Sequence, residues 1–360
     1  MRWPIILLLL LSFSAFACGS GTGVDRAGSS AAAGAANCLI PQNQLVNGGP
    51  GRDGIPALNR PIAVPAAGGD RFLRPDALVL GVAIGGQARA YPHNVLWWHE
   101  IVNDELGGRP IVVSYCPLTG SGIVYDPVIG GQTLNFGVSG LLFDNNLVLF
   151  DRATDSLWSQ MRVQSVCGTL SSTAPALLPV VQSTWAAWRA LHPDTTVVSF
   201  DTGFQRNYNQ YPYGNYDQLG DNSLLFPMTF VDRRRPLKEV VLGVREGAAA
   251  RAWPYGALGD RAAVNDTVAG RAILVIFDRA GQLALAFNRD VGGRRLSFEV
   301  VEGTQFPFHV QDRETGTLWD LTGTAVAGPL SGSRLDQVAT YSAMWFAWAA
   351  FNRDTELFLP

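Results

Sequence analysis

The sequence predicts a strand-dominated α+β protein made of two tandem copies of one domain, the second of them degenerate. Short runs of Val, Ile, Phe and Tyr are broken by turn-forming residues, as in strands joined by tight turns. Only 16% of the residues are charged, and the 39 Gly and 21 Pro favour strands and loops over helices. A long internal repeat is the third observation, and 360 residues suffice for two domains.

The first 18 residues predict a signal peptide of the bacterial lipoprotein type. Arg2 precedes an apolar run over residues 5–16, which is too short to span a bilayer, and Cys18 follows small residues at the expected cleavage site. Cys18 would then carry the lipid, and residues 19–47 would form a flexible tether and arm. We therefore expect a membrane-anchored lipoprotein of the bacterial envelope, in the outer membrane facing the periplasm. The net charge of −3 gives no reason to expect nucleic acid as a partner.

The internal repeat sets the predicted domain boundaries. Residues 79–126, beginning VLGVAIGGQARAYP, match residues 241–288, beginning VLGVREGAAARAWP, without a gap and with roughly a third of the positions identical. Weaker matches continue beyond these segments. The chain is therefore predicted to consist of a first repeat over residues 48–200, a Tyr-rich linker over residues 201–235 and a second repeat over residues 236–360.

Each copy is predicted to contain the same elements in the same order. The VLGV and ARAYP or ARAWP runs read as a strand pair with a Gly-containing turn. In the first copy a helix over residues 94–103 follows, because its apolar residues recur every three to four positions. The remaining predicted elements are a buried strand over residues 110–115, a hairpin through Gly130 and Gly131, and a closing helix with Trp185 and Trp188.

Three potentially reactive side chains occur in the first copy only. His99, Glu100 and Cys116 align with Arg261, Ala262 and Asp278 of the second copy. The chain has only four His and four Cys, which makes the cluster conspicuous. We therefore expect the first copy to carry the chemistry and the second to be structural, with an ion pair between its Arg and Asp.

Several long motifs resemble the domain-of-unknown-function 3179 family of bacterial and archaeal proteins. The motifs are GGPGRDGIPAL at residues 48–58, ARAYPHNVLWWHEIVND at 88–104, SYCPLTGSGIVYD at 114–126, FGVSGLLFDNNLVLFDRATDSLWSQM at 136–161 and RNYNQYPYGNY at 206–216. The resemblance implies that His99, Glu100 and Cys116 lie in family motifs. It implies no activity, because the family is named for its missing function.

The other two cysteines lie outside these motifs. Cys38 and Cys167 are predicted to form a disulfide, since extra cysteines in an oxidising compartment most simply pair with each other. Cys116 would then be the free thiol. It is either a reactive group or a small buried apolar residue, because free Cys is among the most buried residue types.

The first hypothesis for the cluster is a metal site for copper or zinc, because thiolate and imidazole are the ligands that these ions select. Cys116 and His99 would be ligands, with His93, Glu100 or Met161 as candidate additional ligands. His93 and Glu100 are seven residues apart and share a helix face, whereas His99 points about 120° away from His93.

The second hypothesis is a thiol-dependent enzyme in which His99 deprotonates Cys116 and Glu100 orients the ring. It requires the sulfur to lie within side-chain reach of His99, and Thr119 and Ser121 could then donate to an oxyanion. The third hypothesis is a non-enzymatic module for a ligand or protein partner, in which His99 is a hydrogen-bonded core residue. In this third hypothesis the Tyr-rich linker forms the surface for the ligand or partner. The tyrosines of residues 206–216 are also expected to form a wall against the first copy, over the region of His99 and Cys116.

Overall fold

The computed structural model describes residues 37–360. The predicted signal peptide, the lipid-attachment residue Cys18 and most of the tether lie outside the described residues. Strands dominate, as the α+β prediction requires, and the described part of the chain contains only four short α-helices. Within this part no helix has both the length and the apolar character needed to cross a membrane.

Seventeen strands and three α-helices belong to the arm and to residues 48–200, which we call the first half. The strands are β1 Val46–Asn47, β2 Leu58–Asn59, β3 Ala63–Pro65, β4 Leu78–Ile84, β5 Gln87–Pro92, β6 Ile101–Leu106, β7 Arg109–Cys116, β8 Ser121–Tyr125, β9 Val128–Ile129, β10 Gln132–Thr133, β11 Phe136–Phe143, β12 Asn146–Asp151, β13 Leu157–Ser159, β14 Gln164–Cys167, β15 Leu177–Leu178, β16 Val181–Thr184 and β17 Thr196–Val198. The α-helices are α1 Ala66–Gly69, α2 His93–His99 and α3 Trp185–Leu191, and a 3-10 helix spans Gln42–Gln44.

Thirteen strands and one α-helix belong to residues 236–360, which we call the second half. The strands are β18 Val240–Glu246, β19 Ala249–Pro254, β20 Arg261–Val268, β21 Arg271–Asp278, β22 Leu283–Asn288, β23 Asp290–Val291, β24 Arg294–Arg295, β25 Phe298–Val300, β26 Val310–Asp312, β27 Leu318–Trp319, β28 Ala325–Ala327, β29 Tyr341–Met344 and β30 Glu356–Leu357. The helix is α4 Trp345–Phe351, and a 3-10 helix spans Tyr255–Ala257.

The sheets of the two halves have similar strand orders. The order is β16-β4-β5-β17-β3 in one sheet of the first half and β29-β18-β19-β30 in one sheet of the second. Two further sheets of the first half have the orders β15-β8-β7-β6-β2 and β1-β11-β12-β13-β14, and those of the second half are β20-β21-β22 and β25-β26-β27-β28. Every residue of β8 and β12 is buried, so the hairpin that carries Cys116 lies inside the first half.

A buried tryptophan fixes the closing helix of each half. Trp188 of α3 lies so close to Gly81 that an added Cβ would be 2.2 Å from the indole ring, and Trp348 of α4 lies as close to Gly243, at 2.0 Å. Each indole N–H donates a hydrogen bond of 2.9 Å to the threonine hydroxyl seven residues later. The predicted closing helix is therefore present, and its tryptophans require glycine on the facing strand.

The two halves also contact each other reciprocally. The backbone N–H of Thr184, the N-cap of α3, donates to the carbonyl oxygen of Gly281 in the second half at 2.8 Å. The N–H of Met344, the N-cap of α4, donates to the carbonyl oxygen of Thr119 in the first half, also at 2.8 Å. Each half therefore supports the turn that follows the central hairpin strand of the other.

The first predicted long helix ends earlier than the apolar periodicity indicates. The sequence predicts a helix over residues 94–103, but α2 ends at His99 and strand β6 follows directly after Glu100. Glu100 has a φ of 56°, a conformation that a non-glycine residue rarely adopts and that ends the helix. The residues of β6 then pair antiparallel with β7. The predicted helix end was wrong, because the β-branched residues after the turn join a hairpin.

Other local predictions hold. The strand expected over residues 110–115 is part of β7, and the hairpin through Gly130 and Gly131 joins β9 to β10. The structure contains the predicted disulfide between Cys38 and Cys167, which joins the arm to β14. Among the described residues Cys116 is the free cysteine, and it is buried.

Candidate functional site around Cys116 and Glu100

His99 is fully hydrogen-bonded by residues other than Cys116. Its Nδ1 lies 2.8 Å from the carbonyl oxygen of Pro56, which can only accept, so this nitrogen carries the proton. Its Nε2 then accepts from the Tyr208 hydroxyl at 2.7 Å. Burial lowers the pKa of His99, which favours this neutral ring. No hydrogen bond joins His99 to Cys116 within residues 37–360, so the dyad of the thiol-enzyme hypothesis lacks its direct contact.

Glu100 is a buried carboxyl without a compensating charge. Its side chain forms no hydrogen bond or ion pair within the described part of the chain, and the residue is only 7% exposed. Burial raises its pKa from an ordinary 4.5 to about 8. A strained backbone and an uncompensated carboxyl at one residue are features that collect at functional sites.

Cys116 ends β7 beside Glu100. Its thiol donates to the carbonyl oxygen of Asn145 at 3.6 Å, and the residue is 1% exposed. Burial and then the charge of Glu100 raise the pKa of Cys116 to about 11. The Thr119 hydroxyl and the backbone N–H groups of Thr119 and Leu147 act in the opposite direction, because they donate to the thiolate. The sulfur therefore faces three groups that would stabilise a negative charge.

The corresponding turn of the second half holds an aspartate that pairs with an arginine. Asp278 ends β21, and its carboxylate accepts the N–H of Gly281 at 2.7 Å, three residues later, as Thr119 lies three residues after Cys116. The Arg261 side chain lies 3.2 Å from the same carboxylate. The expected ion pair between Arg261 and Asp278 is thus confirmed. The comparison indicates that a turn of this kind can stabilise an anion at the strand end.

The Tyr-rich linker covers the site, as the sequence predicted. The Tyr216 hydroxyl donates to the carbonyl oxygen of Leu118 at 3.1 Å, two residues after Cys116. Burial raises the pKa of Tyr213, and the charges of Glu100 and Cys116 raise it further. Together with the hydrogen bond from Tyr208 to His99, these contacts close the site from solvent.

The sequence analysis missed the residues that hold the linker in place. Asp144 and Asn145 form the two-residue turn between β11 and β12, with φ values of 48° and 60°. Asp144 accepts from the Thr229 hydroxyl at 2.7 Å, and the Asn145 side-chain amide donates to the carbonyl oxygen of Phe226 at 2.7 Å. The signal in the sequence was the Asp-Asn pair between two apolar runs. One turn therefore binds the linker through side chains and the Cys116 thiol through a backbone carbonyl.

The candidate metal ligands do not form one cluster. His93 is 2% exposed and its Nε2 has no hydrogen-bond partner, while burial lowers its pKa to about 3. Met161 is fully buried among apolar side chains. Among residues 37–360 no three His, Cys, Asp or Glu side chains are arranged to hold a metal ion. Copper or zinc binding stays a prediction.

Comparison with known proteins identifies a family and no activity. Residues 52–355 match the model of a family described as "Protein of unknown function (DUF3179)". No curated protein and no solved structure matches the chain. The match covers most of the chain, including the helix, the hairpin and the linker that build the site.

Proposed function

The chain belongs to the DUF3179 family, and we propose that its first half contains a thiol site in which Cys116 supplies the reactive sulfur and Glu100 takes up the thiol proton. The observation that carries this proposal is the uncompensated Glu100 carboxyl beside a buried free thiol. A carboxyl with a pKa of about 8 can gain and lose a proton near neutral pH, which is the property required of a general acid or base.

The roles of the surrounding residues follow from their contacts. Ionised Glu100 accepts the proton of Cys116, and the N–H groups of Thr119 and Leu147 stabilise the thiolate that forms. His99 holds Tyr208 of the linker and therefore positions the cover of the site. The substrate is a small electrophile that reaches the sulfur when the linker moves.

The second half supports the site and is, in this proposal, a degenerate copy of the first. The similar strand orders, the matched tryptophan–glycine contacts and the reciprocal hydrogen bonds of Thr184 and Met344 support a duplication. In addition, Asp151 and Asp312 each accept an indole N–H at 2.9 Å from the tryptophan seven residues later. An ancestral pair of equal domains explains these repeated details with one event.

We also propose that the protein is a lipoprotein of the bacterial envelope, with Cys18 as the lipid-attachment residue. The Cys38–Cys167 disulfide supports an oxidising compartment, because disulfides are rare in reducing ones. Mass spectrometry of the mature chain from a bacterial host should find Cys18 at the N-terminus with a lipid attached. A soluble product that still begins at Met1 would contradict this location.

The thiol proposal is tested with electrophilic probes on the full chain. Wild-type protein and the Cys116→Ser and Glu100→Gln variants are incubated with an aryl thioester and with hydrogen peroxide, and turnover and the modified residue are measured. We expect the Ser variant to lose all reaction and the Gln variant to lose most of it. A Cys38→Ser/Cys167→Ser variant is the control and should react. Equal reaction in wild type and the Cys116→Ser variant would reject the proposal, and an inert wild type would favour the binding-module hypothesis.

A metal site is the second candidate, because burial keeps the His93 ring neutral and its Nε2 has no hydrogen-bond partner among the described residues. This nitrogen is therefore free to coordinate a metal ion. Cys116 and His93 would then supply sulfur and nitrogen to copper or zinc, which accept both donors. Elemental analysis after incubation with each ion is expected to give bound metal in wild type and little in Cys116→Ser. Equal metal contents would exclude Cys116 as a ligand.

A further inference from the structure

We infer that Thr119 is a positioning residue for Cys116, held by a buried polar network so that its hydroxyl can donate either to Ser121 or to the Cys116 sulfur. The inference deepens the proposed thiol function and rests on it. It assigns a role to polar side chains that do not take part in the proton transfer from Cys116 to Glu100.

The network consists of five fully buried polar side chains around the turn of the β7–β8 hairpin. They are Ser114, Thr119, Ser121, Asn146 and Gln160, each with a relative exposure of 0%. Their contacts are short: Thr119 Oγ1 lies 2.8 Å from Ser121 Oγ, and Gln160 Nε2 lies 3.0 Å from Ser114 Oγ. Buried polar networks of this kind specify one arrangement when every member is satisfied.

The directions of the hydrogen bonds leave the Thr119 hydroxyl proton with two possible acceptors. Ser121 Oγ donates to Gln160 Oε1 at 2.7 Å, because an amide oxygen can only accept. Asn146 Nδ2 donates to Thr119 Oγ1 at 3.1 Å, because an amide nitrogen can only donate. The Thr119 proton therefore points to Ser121 when Cys116 is a thiol and turns to the sulfur when Cys116 is a thiolate. Ser121 Oγ remains hydrogen-bonded in either case, since it keeps donating to Gln160 Oε1.

The sulfur lies within the reach of this switch. The backbone N–H of Thr119 donates to the carbonyl oxygen of Cys116 at 3.2 Å, and Cys116 pairs with Ser121 across the β7–β8 hairpin, so the sulfur and the Thr119 hydroxyl belong to one turn. A side-chain hydrogen bond from Thr119 lowers the pKa of Cys116 against the effect of burial. Asn146 in turn is fixed by its Oδ1, which accepts the backbone N–H of Met161 at 3.0 Å.

The second half shows that a hairpin of this fold does not need the network. Ile276 and Leu283 stand in β21 and β22 where Ser114 and Ser121 stand in β7 and β8, counted from the strand ends at Asp278 and Cys116. Leu321 likewise follows Trp319 by two residues, as Gln160 follows Trp158. Apolar packing is the simpler way to fill a core, because every buried polar group must find a partner. Polar residues therefore occupy these positions in the half that contains the thiol, and apolar residues occupy them in the other half.

The experiment measures the rate at which iodoacetamide alkylates Cys116 in the full chain as a function of pH. Cys116 and Glu100 are coupled, so the pair titrates in two steps, and the upper step is the loss of the second proton from the pair. Thr119→Val removes the hydroxyl at nearly constant volume, and we expect the upper midpoint to rise by about one pH unit, as for loss of a hydrogen bond to a charged group. Thr119→Ser restores the hydroxyl and should restore the midpoint.

A Ser121→Ala variant supplies the opposite test. It removes the competing acceptor, so the Thr119 hydroxyl stays on the sulfur and the upper midpoint should fall. A purely structural role would change the alkylation rate equally at all pH values, because it alters only how often the linker opens. An unchanged midpoint in Thr119→Val, or a rise in Ser121→Ala, would overturn the inference, and Ser121→Ala decides alone if Thr119→Val does not fold. Failure of the thiol function itself is separate, since it appears as turnover that survives Cys116→Ser.

Discussion

Cys116 and Asp278 end the central strands of two similar hairpins, but their surroundings balance charge in different ways. The Asp278 carboxylate is neutralised by Arg261 at 3.2 Å and by a backbone N–H from Gly281. The Cys116 sulfur also faces backbone donors, yet the charge that raises its pKa is that of Glu100, a carboxyl without a partner among residues 37–360. The charges at this turn of the second half therefore balance each other. The corresponding site of the first half contains two acids, Cys116 and Glu100.

The first half therefore carries a cost in stability at the site around Cys116 and Glu100. A buried acid with a raised pKa destabilises the folded protein wherever solution pH would ionise it. Two such groups in one site, closed by a linker with its own dedicated anchors, are a costly way to build a core. Proteins tend to keep such departures from good packing where function needs them.

The largest expected effect tests how similar the two halves are as scaffolds. Trp188→Ala and Trp348→Ala each remove a fully buried ring that faces glycine. We expect each change to lower the free energy of unfolding by about 3–5 kcal/mol. Chemical denaturation of both variants measures this loss. Losses that differ by more than about twofold would show that the helices α3 and α4 do not have matching roles.

A second effect is expected from Glu100, and its size depends on pH. The pKa of Glu100 is about 8 in the folded protein, above its ordinary 4.5, so between these values the folded state keeps a proton that the unfolded state has lost. The stability of wild type should therefore fall as pH rises from 4.5 to about 8 and then level off. Glu100→Gln should be more stable than wild type by about 5 kcal/mol above that range and equal to it below, since each pKa unit corresponds to about 1.4 kcal/mol.

Urea denaturation at a series of pH values measures this difference. Ala262→Gln is a matched control, because Ala262 aligns with Glu100 in the second half and has no charge to lose. Its stability relative to wild type should not change with pH. A constant difference between wild type and Glu100→Gln across the range would mean that Glu100 is ionised in the folded protein.

The smallest effect concerns a thiol placed in the second half. In a Cys116→Ser/Asp278→Cys variant, the new sulfur would face Arg261 in place of Glu100. A neighbouring cation favours the thiolate, so we expect the pKa of this thiol to lie about 1–3 units below that of Cys116. Alkylation rates against pH measure the value. A pKa equal to or above that of Cys116 would show that the two turns do not differ electrostatically as described.

The fold could be predicted from the sequence further than the site could. Strand periodicity, turn residues and the tryptophans of the closing helix are local signals, and each appears where the sequence indicates. The end of α2 could not be predicted, because apolar spacing fits a helix through residues 94–103 and the positive φ of Glu100 depends on the hairpin that follows. That single turn separates Glu100, which faces Cys116, from His99, which faces the linker.

Two further features depend on contacts between distant segments. The sequence singles out His99 as a base, but the carbonyl of Pro56 and the hydroxyl of Tyr208 occupy its nitrogens, and neither contact follows from spacing. Asn146 and Gln160 looked like ordinary polar residues of the motif over residues 136–161. Their importance emerges only when β12 is packed against the β7–β8 hairpin.

The proton exchange between Cys116 and Glu100 is tested most directly by comparing the pH dependence of Cys116 alkylation in wild type and in Glu100→Gln. Ionised Glu100 is required to accept the thiol proton, so the wild-type rate should rise through a step near pH 8. The Gln variant should lack that step and react only as the thiol itself ionises. Identical profiles for the two proteins would contradict a role for Glu100 in the chemistry of Cys116.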